Sequence, residues 1–500
     1  MLSYRFRDGV QVRSDGNNVV ITTPYATRLN SIRQSLHIDH PSDSMKSLLR
    51  DLSGSGVDRE QFLIFDDSLS IDAEHQGLLD ELEDFHAKGL LLTEICGAEG
   101  AAICLNPVKS LFDRKTAPEG VFHIRFSRFV SVQPLIDGLQ IASPLSAGTV
   151  CLKDQRLFSM LVGLAAVCNE QIIRGFLPDD LQAHYEDVVS LLLSSGVAGV
   201  CDAQGVADID QEAVDAGWTP EDLAFHCHTR EQMVDLFRYQ SQQKSIAKKQ
   251  FPAKHQRIIL GTAALPTPSR INHNRSFFQV VRERKTIRAY QEQPINAGLL
   301  SDFLWHSMHI REEILCDPVL PRAYSGLLRP VASAGALHSI ELYLCISRCI
   351  GLQPGFYHYD STNHSLGKLN DLSEPCLQML ELAAASTCRA PQAASVSSGQ
   401  GQFPDVLVLM AARYGRNASL HQQTGLSYAL ILKDVGSIYQ QLYLVATALG
   451  LAPCGLSFGS SELFEQASGL SGRLECSVGE FMIGNPASTH GFDPGAAVVA

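Results

Sequence analysis

The first 205 residues carry a pattern of apolar and polar positions that occurs twice. Each copy has short alternating segments around a turn, Asp15-Gly16 or Asp137-Gly138, and then an apolar helical stripe that stops at a glycine, Gly89 or Gly196. Period-two alternation is typical of strands, and a glycine after an apolar stripe is typical of a helix end. The strand-like segments are residues 4–6, 11–13, 19–24, 122–126 and 139–144. The pattern predicts two winged-helix-like domains, residues 1–108 and 109–205.

Residues 206–250 differ from both copies because their charges are segregated. Acidic side chains concentrate between Asp208 and Asp222, and basic ones between Lys244 and Arg257. Such blocks usually mark a solvated connection or a long surface helix. Several prolines follow, so the main boundary is expected near residue 250, with a last domain over residues 251–500.

The last domain alternates helical and strand-like patterns, which predicts an α+β fold. The small residues Ser333-Ala334-Gly335 precede an apolar run from Leu337 to Ile350, so this loop is expected at the mouth of a central strand. Residues 354–360 predict a hairpin with aromatic packing. Ser427 to Gly450 predicts one long helix, with Ser427 as its N-cap and Gly450 as its C-terminal stop.

This long helix has a second, polar stripe besides its buried one. Lys433, Gly436, Ser437 and Gln440 are spaced i, i+3, i+4, i+7 and lack bulk. A ligand-facing or subunit-facing surface and an ordinary solvated face are equally compatible with that spacing. Lys433 is the cation of the stripe. A lysine held against apolar neighbours can act as a base, although Asp434 beside it could instead keep it charged.

Composition and charge exclude several classes of function. The 500 residues carry a net charge of −13, which disfavours a broad nucleic-acid or anionic-membrane surface. The start of the sequence lacks the apolar segment of a signal peptide, and no apolar run is long enough to cross a bilayer, so cytoplasm is the expected compartment. In the first predicted winged-helix unit the last helix is acidic, which argues against DNA and leaves peptide recognition or simple scaffolding as alternatives.

The cysteines predict neither disulfides nor a metal centre. There are 13 of them, with no CxxC pair, and reduced, mostly buried thiols are the expectation. His226 and His228 flank Cys227, but no second ligand pair has suitable spacing, so a zinc site is rejected.

The run from Arg284 to Arg288 is the candidate anion site. In an extended segment Arg284, Thr286 and Arg288 would present two guanidinium groups and a hydroxyl on one side. Short basic runs are more often solvated surface, so the run is informative only together with the elements that follow it.

The order of the motifs ERKTIR, VASAGALHSIELYL, GLQPGFYHYD, ILKDVGSIYQQLYLVATALGLAPCGL and SVGEFMIGNP resembles the SagB-type peptide azoline dehydrogenases of the nitroreductase superfamily. It is most similar to their cyanobactin thiazoline oxidase branch. The front half is similar to the family's peptide-clamp domains, which are RiPP recognition element-like. The resemblance implies an FMN-dependent, homodimeric nitroreductase-like domain.

The resemblance also implies roles for individual residues. Arg284, Thr286 and Arg288 would hold the FMN phosphate with Lys285 as a helper, and Ser333, Ala334 and Gly335 would lie along the flavin ring. A turn from Gly450 to Gly455, with Cys454 inside it, would close another edge of the pocket. Gln440 of the polar stripe completes the expected cofactor residues. Lys433 is the candidate base, with Tyr439 and Tyr428 as candidate partners.

The implied reaction oxidises thiazolines or oxazolines of a heterocyclised precursor peptide to thiazoles or oxazoles, with dioxygen as the final acceptor. A cyclodehydratase would be the associated enzyme. Two alternatives remain: an NAD(P)H-dependent nitro or flavin reductase on small molecules, and a redox-inactive peptide-binding scaffold.

Overall fold

The computed structural model forms two compact units, Met1–Ser241 and Gln242–Ala500. Both units mix helices with antiparallel strands, in keeping with the predicted fold class. The residues that the structure describes are 2–7, 10–15, 17–22, 35–54, 56–58, 77–78, 80–82, 84–85, 90–98, 100–107, 115–230, 257–268, 275–314, 326–385, 403–418 and 425–487. Two features of the sequence prediction, Gly89 and the basic stretch from Lys244 to Lys254, lie outside the described residues.

The N-terminal unit is built on short strands. They are β1 (Leu2–Phe6), β2 (Gln11–Asp15), β3 (Asn18–Thr22), β4 (Ser35–Ile38), β5 (Val57–Asp58), β6 (Leu91–Gly97), β7 (Gly100–Pro107), β8 (Ile124–Phe126), β9 (Ser131–Leu135), β10 (Gly138–Ala142), β11 (Gly148–Leu152) and β12 (Ala198–Val200). The helices are α1 (Asp43–Ser53), α2 (Phe158–Leu164), α3 (Glu170–Phe176), α4 (Tyr185–Ser195), α5 (Gln211–Asp215) and α6 (Pro220–Arg230).

One sheet links the two predicted front domains. Its seven strands follow the order β5-β1-β6-β7-β11-β10-β9, so strands from both sides of residue 108 are hydrogen-bonded neighbours. In the β7–β11 pair, for example, Cys104 lies opposite Cys151. A single hydrophobic core runs from Leu2 to Ala198. The two copies therefore share a sheet and a core, and their winged-helix-like character stays a prediction.

The end of α4 matches its sequence pattern. Gly196 has φ of 75° in the left-handed region, and its N–H bonds the carbonyl of Leu193. A residue with a Cβ is strained in that conformation, so glycine is favoured there. Strand β12 follows at once. The predicted succession of apolar helix, glycine and strand is confirmed for the second copy.

The acidic stretch after residue 206 is not simply a solvated connection. Asp210 is buried, and its carboxylate accepts hydrogen bonds from the Ser127 hydroxyl at 2.6 Å and from the Arg128 N–H at 2.7 Å. The prediction of a solvated charge block is wrong for this residue. A buried carboxylate with two donors ties its helical turn to the loop after β8, a long-range contact that charge patterning does not reveal.

The C-terminal unit has its own set of strands and helices. The strands are β13 (Gly261–Ala264), β14 (Glu312–Ile314), β15 (Gly326–Leu328), β16 (Ile340–Ile346), β17 (Gly355–Asp360), β18 (Ser365–Asn370), β19 (Val406–Ala412), β20 (Ala452–Leu456) and β21 (Cys476–Gly484). The helices are α7 (Phe277–Glu283), α8 (Ala297–Met308), α9 (Glu374–Ala385), α10 (Tyr414–Ala418), α11 (Leu426–Leu449) and α12 (Ser461–Ser468).

Strand β16 is the central strand of the second sheet. The order of the seven strands is β13-β18-β17-β16-β19-β21-β20. Alternate residues of β16 enter two different cores: Leu342 and Leu344 pack with α8 and α11, whereas Tyr343 and Cys345 pack with α9 and α12. Both faces of the sheet are therefore covered by helices. The predicted central strand after the Ser333 loop and the predicted hairpin at 354–360 are confirmed.

Helix α11 confirms one predicted end and corrects the other. Gly450 is the left-handed C-cap, with φ of 74°. At the start the cap residue is Gly425, whose position makes no side-chain cap bond, and Ser427 is buried inside the first turn. The predicted Ser427 N-cap is wrong because the buried Leu426 already belongs to the helix. The predicted turn from Gly450 to Gly455 is also wrong, since residues 452–456 form strand β20, paired with β21.

Candidate functional site

The basic run lies between the end of α7 and the edge strand β20. Arg284 caps α7, and the Ile287 N–H donates to the Pro453 carbonyl at 2.9 Å, which ties the run to β20. Ile287 packs against the core, whereas Lys285 and Arg288 are exposed. The run thus has one apolar anchor with basic side chains around it, as an anion site at the protein surface requires.

Tyr443 of α11 gathers the alternate residues of this run. The Arg284 guanidinium carbon lies 5.3 Å from the centroid of the Tyr443 ring, and the Thr286 hydroxyl lies 3.0 Å from the Tyr443 hydroxyl. The Gly455 N–H of β20 donates to the same hydroxyl at 2.8 Å. Arg284 and Thr286 are thus on one side of the chain, as the extended segment predicts. The sequence did not indicate a role for Tyr443. It follows the buried Leu442 in an apolar helix, where a tyrosine usually serves only packing.

Cys454 is buried in β20 beside the Arg288 guanidinium. Burial, the larger effect, raises the pKa of the Cys454 thiol, and the nearby Arg288 lowers it only in part. A thiol of raised pKa is a poor nucleophile. The geometry therefore gives Cys454 a packing role at the edge of the site.

The loop before β16 is fastened to α11 by a buried carboxylate. Asp434, which is 5% exposed, accepts a hydrogen bond from the Ser333 hydroxyl at 2.5 Å and another from the Ala334 N–H at 2.9 Å. The Ser333 oxygen in turn accepts from the His338 N–H at 3.0 Å. Burial raises the pKa of Asp434, and the two hydrogen bonds oppose that shift.

The same loop adopts a rare backbone conformation. Gly335, Ala336 and His338 have φ of 62°, 55° and 45°. For residues with a Cβ, such values cost on the order of 1 kcal/mol each and persist only where the surroundings impose them. The predicted ring-facing loop is thus a strained segment whose shape depends on contacts with other elements.

The polar stripe of α11 is on the outside of this chain. Lys433, Gly436, Ser437 and Gln440 are all exposed. A side chain added at Gly436 would meet no atom within 4 Å, so the surface here is open and flat. Among the described residues, the Ser437 hydroxyl bonds within its own helix, to the Lys433 carbonyl at 3.2 Å. The stripe is free to meet a ligand or a second subunit.

The candidate catalytic residues are not gathered in one place. Lys433 and Tyr428 are exposed, whereas the Tyr439 hydroxyl is inside, where it donates to the Leu456 carbonyl at 2.8 Å and accepts from the Glu480 N–H at 2.9 Å. Lys433 and Tyr439 are six positions apart, which places them about 120° from each other around the helix. Burial raises the pKa of Tyr439 to about 12. Tyr439 thus supports β20 and β21, and it does not stand next to Lys433.

The two fastened segments are set apart along a single helix. Asp434 and Tyr443 are nine positions apart on α11, which is about 13.5 Å along the helix axis and about 180° around it. At the Tyr443 end there are two guanidinium groups and a hydroxyl, and at the Asp434 end there is a backbone loop with small side chains. The two contacts are therefore on opposite sides of α11. Within the described ranges, no cluster of three metal-ligating side chains occurs, no disulfide joins the cysteines, and no helix is long and apolar enough to cross a membrane.

Comparisons with known proteins identify the C-terminal region. Residues 281–484 match the nitroreductase family. A Methanocaldococcus jannaschii protein named as a nitroreductase is 26% identical over 187 residues, which cover 37% of this chain and 81% of that protein.

Among solved structures, a protein named as a nitroreductase from Ralstonia eutropha JMP134 is 17% identical, with a TM-score of 0.33, and the match covers 49% of this chain and 100% of that one. A chain of the E. coli microcin synthetase McbBCD complex, solved with truncated pro-MccB17 bound, is 18% identical, with a TM-score of 0.32, over 50% of this chain and 86% of that one. At these scores the structural likeness assigns no substrate. The family match, by contrast, spans the basic run, the strained loop, α11 and β20, so the C-terminal region is a nitroreductase-family domain of the flavin-type oxidoreductases.

Proposed function

We propose that the protein is an FMN-dependent oxidase that converts thiazolines or oxazolines in a peptide to thiazoles or oxazoles. The observation that carries the proposal is the convergence of separate motif segments on α11: the basic run and β20 at Tyr443, and the Ser333 loop at Asp434. These segments are the ones through which the sequence resembles the SagB-type azoline dehydrogenases.

The residues around Tyr443 fit the phosphate of FMN. No described carboxylate forms an ion pair with Arg284 or Arg288, and Arg288 is exposed. Two guanidinium groups without a carboxylate partner favour an incoming anion. Thr286 adds a hydroxyl held by Tyr443, and the exposed Lys285 adds charge at the rim.

The residues around Asp434 fit the flat ring system of FMN. Ser333, Ala334 and Gly335 carry little side-chain bulk, so the backbone of the loop can approach a planar ligand closely. A side chain at Gly455 of β20 would meet the rings of Tyr439 and Tyr443 at 3.1 to 3.4 Å, so glycine is needed there for packing at the edge of the proposed site. The exposed Gln440 offers an amide on the stripe.

Oxidation of an azoline removes two electrons and two protons from the ring. Bound FMN would supply the two-electron acceptor, and dioxygen would take the electrons afterwards. The chain must supply a base for the ring proton, and Lys433 is our candidate from the resemblance. Its side chain is exposed on the stripe, where a peptide could reach it, and is not held against apolar neighbours as the sequence interpretation required. Tyr428 and Tyr439 are the candidate partners: Tyr428 is exposed on α11, and the Tyr439 hydroxyl bonds the backbone of Leu456 and Glu480.

A second copy of the chain would complete the site. Besides the open stripe, the C-terminal unit exposes Phe277 and Phe278 on α7 and Leu432 on α11. Apolar side chains exposed beside a polar, bulk-free stripe are typical of a subunit interface. We therefore include a homodimer in the proposal, formed through the FMN domain.

The N-terminal unit extends the proposal to a peptide substrate. It is a compact unit of its own, and a reductase for small molecules needs no such addition. Peptide binding by this unit, and work beside a cyclodehydratase that supplies the azoline rings, complete the proposed function, with the cytoplasm as its compartment.

Anaerobic reduction of the purified yellow protein tests the proposal. A heterocyclised peptide should bleach the flavin absorbance and lose two hydrogen atoms per ring by mass spectrometry, whereas the same peptide without rings should do neither. Fast bleaching by NADH or NADPH with no response to the peptide would favour a small-molecule reductase, which the family match keeps as an alternative. A colourless protein that added FMN does not restore would favour a redox-inactive scaffold.

A further inference from the structure

The loop from Ser333 to His338 depends on contacts made by other elements. Its three left-handed residues are disfavoured on their own, and two of them, Ala336 and His338, carry a Cβ. Arg416 of α10 donates from Nε to the Leu337 carbonyl at 2.7 Å and holds the far side of the loop. The near side, which leads into the proposed ring site, is held by Asp434.

Asp434 is directed at the loop and not at its neighbour Lys433. One carboxylate oxygen accepts from the Ser333 hydroxyl and the other from the Ala334 N–H. Adjacent helical residues point about 100° apart, and here one is buried while the other is exposed. Both acceptor oxygens are thus engaged on the buried side, so the sequence alternative in which Asp434 keeps Lys433 charged has no support in the geometry.

A small cavity lies next to this contact. It is lined by Ser333, Asp434, Arg329 and His338, among others, and has room for about one water molecule. The two hydrogen bonds of Asp434 therefore hold the loop at the wall of this cavity.

We propose that Asp434 is a positioning residue for the cofactor, which holds the Ser333–Gly335 backbone in the conformation that meets the flat ring. The proposal rests on the proposed FMN site and adds a role that the cofactor residues themselves do not have. Asp434 acts through geometry: it accepts two hydrogen bonds from the loop, and these bonds oppose the relaxation of its strained backbone. The charge of Asp434 is secondary.

Two substitutions separate geometry from charge. Asp434→Asn keeps an oxygen that can accept from the Ala334 N–H and gains an NH₂ that can donate to the Ser333 oxygen, so both contacts survive without the charge. Asp434→Ala removes both. We expect Asp434→Ala to weaken FMN binding about tenfold or more, in line with the loss of two hydrogen bonds, and Asp434→Asn to stay within about threefold of the wild type.

Hydrogen–deuterium exchange on the FMN-free protein provides the second readout. Amides of residues 334–338 should exchange faster in Asp434→Ala and at the wild-type rate in Asp434→Asn. Asp405→Ala is the control for loss of a buried carboxylate elsewhere in the C-terminal unit: Asp405 accepts the Ile295 N–H at 3.0 Å and forms an ion pair with Arg348 at 2.6 Å. It should lower thermal stability without changing exchange at 334–338.

The outcomes are distinct. Unchanged exchange in Asp434→Ala, or equal loss of FMN affinity in the Ala and Asn variants, would overturn the positioning role. If the wild-type protein binds no FMN, the proposed function fails, while the exchange comparison still decides whether Asp434 holds the loop.

Discussion

The two ends of helix α11 hold their neighbouring segments by different means. At the Tyr443 end, guanidinium groups and hydroxyls meet at a surface, where Arg284 is half-buried and Arg288 is exposed. At the Asp434 end, a buried carboxylate accepts from a hydroxyl and a backbone N–H and fixes a loop with left-handed residues. The Tyr443 end provides positive charge for a ligand, whereas the Asp434 end fixes the backbone conformation of a loop.

The two ends should therefore affect different measurable properties: the affinity for an anion at one end and the loop conformation at the other. Exposed charges attract an anion but are screened by salt, and their removal leaves the fold almost intact. Buried hydrogen bonds to a strained segment are insensitive to salt, and their loss disturbs the segment itself. Substitutions at the Tyr443 end should therefore change salt-dependent binding, whereas substitutions at the Asp434 end should change loop dynamics.

The largest expected effect is at Lys433, which is next to Asp434 in the chain but on the exposed side of α11. Lys433→Met should slow azoline oxidation by about 10²- to 10⁴-fold, the usual contribution of a general base. FMN content should not change, because the loop is held by Asp434 and not by Lys433. Single-turnover flavin reduction by a heterocyclised peptide measures the rate.

Tyr428→Phe provides the comparison for this variant. A smaller effect of the same kind would agree with a partner role for Tyr428. A Lys433→Met protein that oxidises the peptide at the wild-type rate would remove Lys433 from the chemistry and leave the stripe to subunit contact alone.

Glu480 is a second buried carboxylate near α11, and unlike Asp434 it lacks a hydrogen-bond partner at one of its oxygens in the described part of the chain. Glu480 is 3% exposed, and the oxygen in question is Oε1. Burial raises the pKa of Glu480 from 4.5 to about 7. The folded state therefore keeps a proton that the unfolded state has already released, so stability falls as pH rises from about 4.5 to about 7, by about 3 kcal/mol.

Glu480→Gln should flatten this part of the stability profile. The difference in unfolding free energy between the variant and the wild type, from denaturant titrations at several pH values, isolates the contribution of Glu480. Parallel profiles for the two proteins over this range would show that the carboxylate is hydrated in solution.

At the charged end, Arg288→Ala should weaken FMN binding by about 10- to 100-fold, the magnitude of a lost hydrogen bond to a charged group. The wild-type affinity should fall with rising salt, and the variant should depend on salt less steeply. Fluorescence titration of the apoprotein with FMN measures both. Lys285→Ala is the control and should have a smaller effect. Unchanged FMN content in Arg288→Ala would mean that the phosphate binds elsewhere.

Sequence patterns predicted the elements of this domain better than the contacts between them. Leu337 to Ile350 contains the central strand because its residues are apolar on both faces, and Gly450 ends α11 because a left-handed residue is needed there. Periodicity and glycine placement are local properties, so they can be recognised in one sequence.

Tertiary contacts could not be predicted from these local patterns. Arg257, counted in a solvated basic block, instead donates to the buried Glu475 at 2.8 Å and to the Tyr343 hydroxyl at 2.7 Å. The sequence likewise indicates no binding role for Asp434 or Tyr443, since their partners Ser333 and Thr286 are 101 and 157 positions away along the chain. A local pattern does not indicate which distant group a polar side chain will meet, and at this site that choice determines what each residue does.

The smallest expected effect is at Tyr443, where the charged end is joined to the fold. Tyr443→Phe keeps the ring beside Arg284 but removes the hydroxyl that meets Thr286 and accepts from the Gly455 N–H. It should lower the free energy of unfolding by about 1 to 2 kcal/mol, because a donor loses its partner, and weaken FMN binding only a few-fold. Thr286→Val should weaken binding similarly but leave stability closer to the wild type, because the Gly455 bond remains. If Tyr443→Phe instead weakened FMN binding as much as Arg288→Ala does, the placement of the segment and not its charge would determine FMN affinity at this end. The contrast between the two ends of α11 would then disappear.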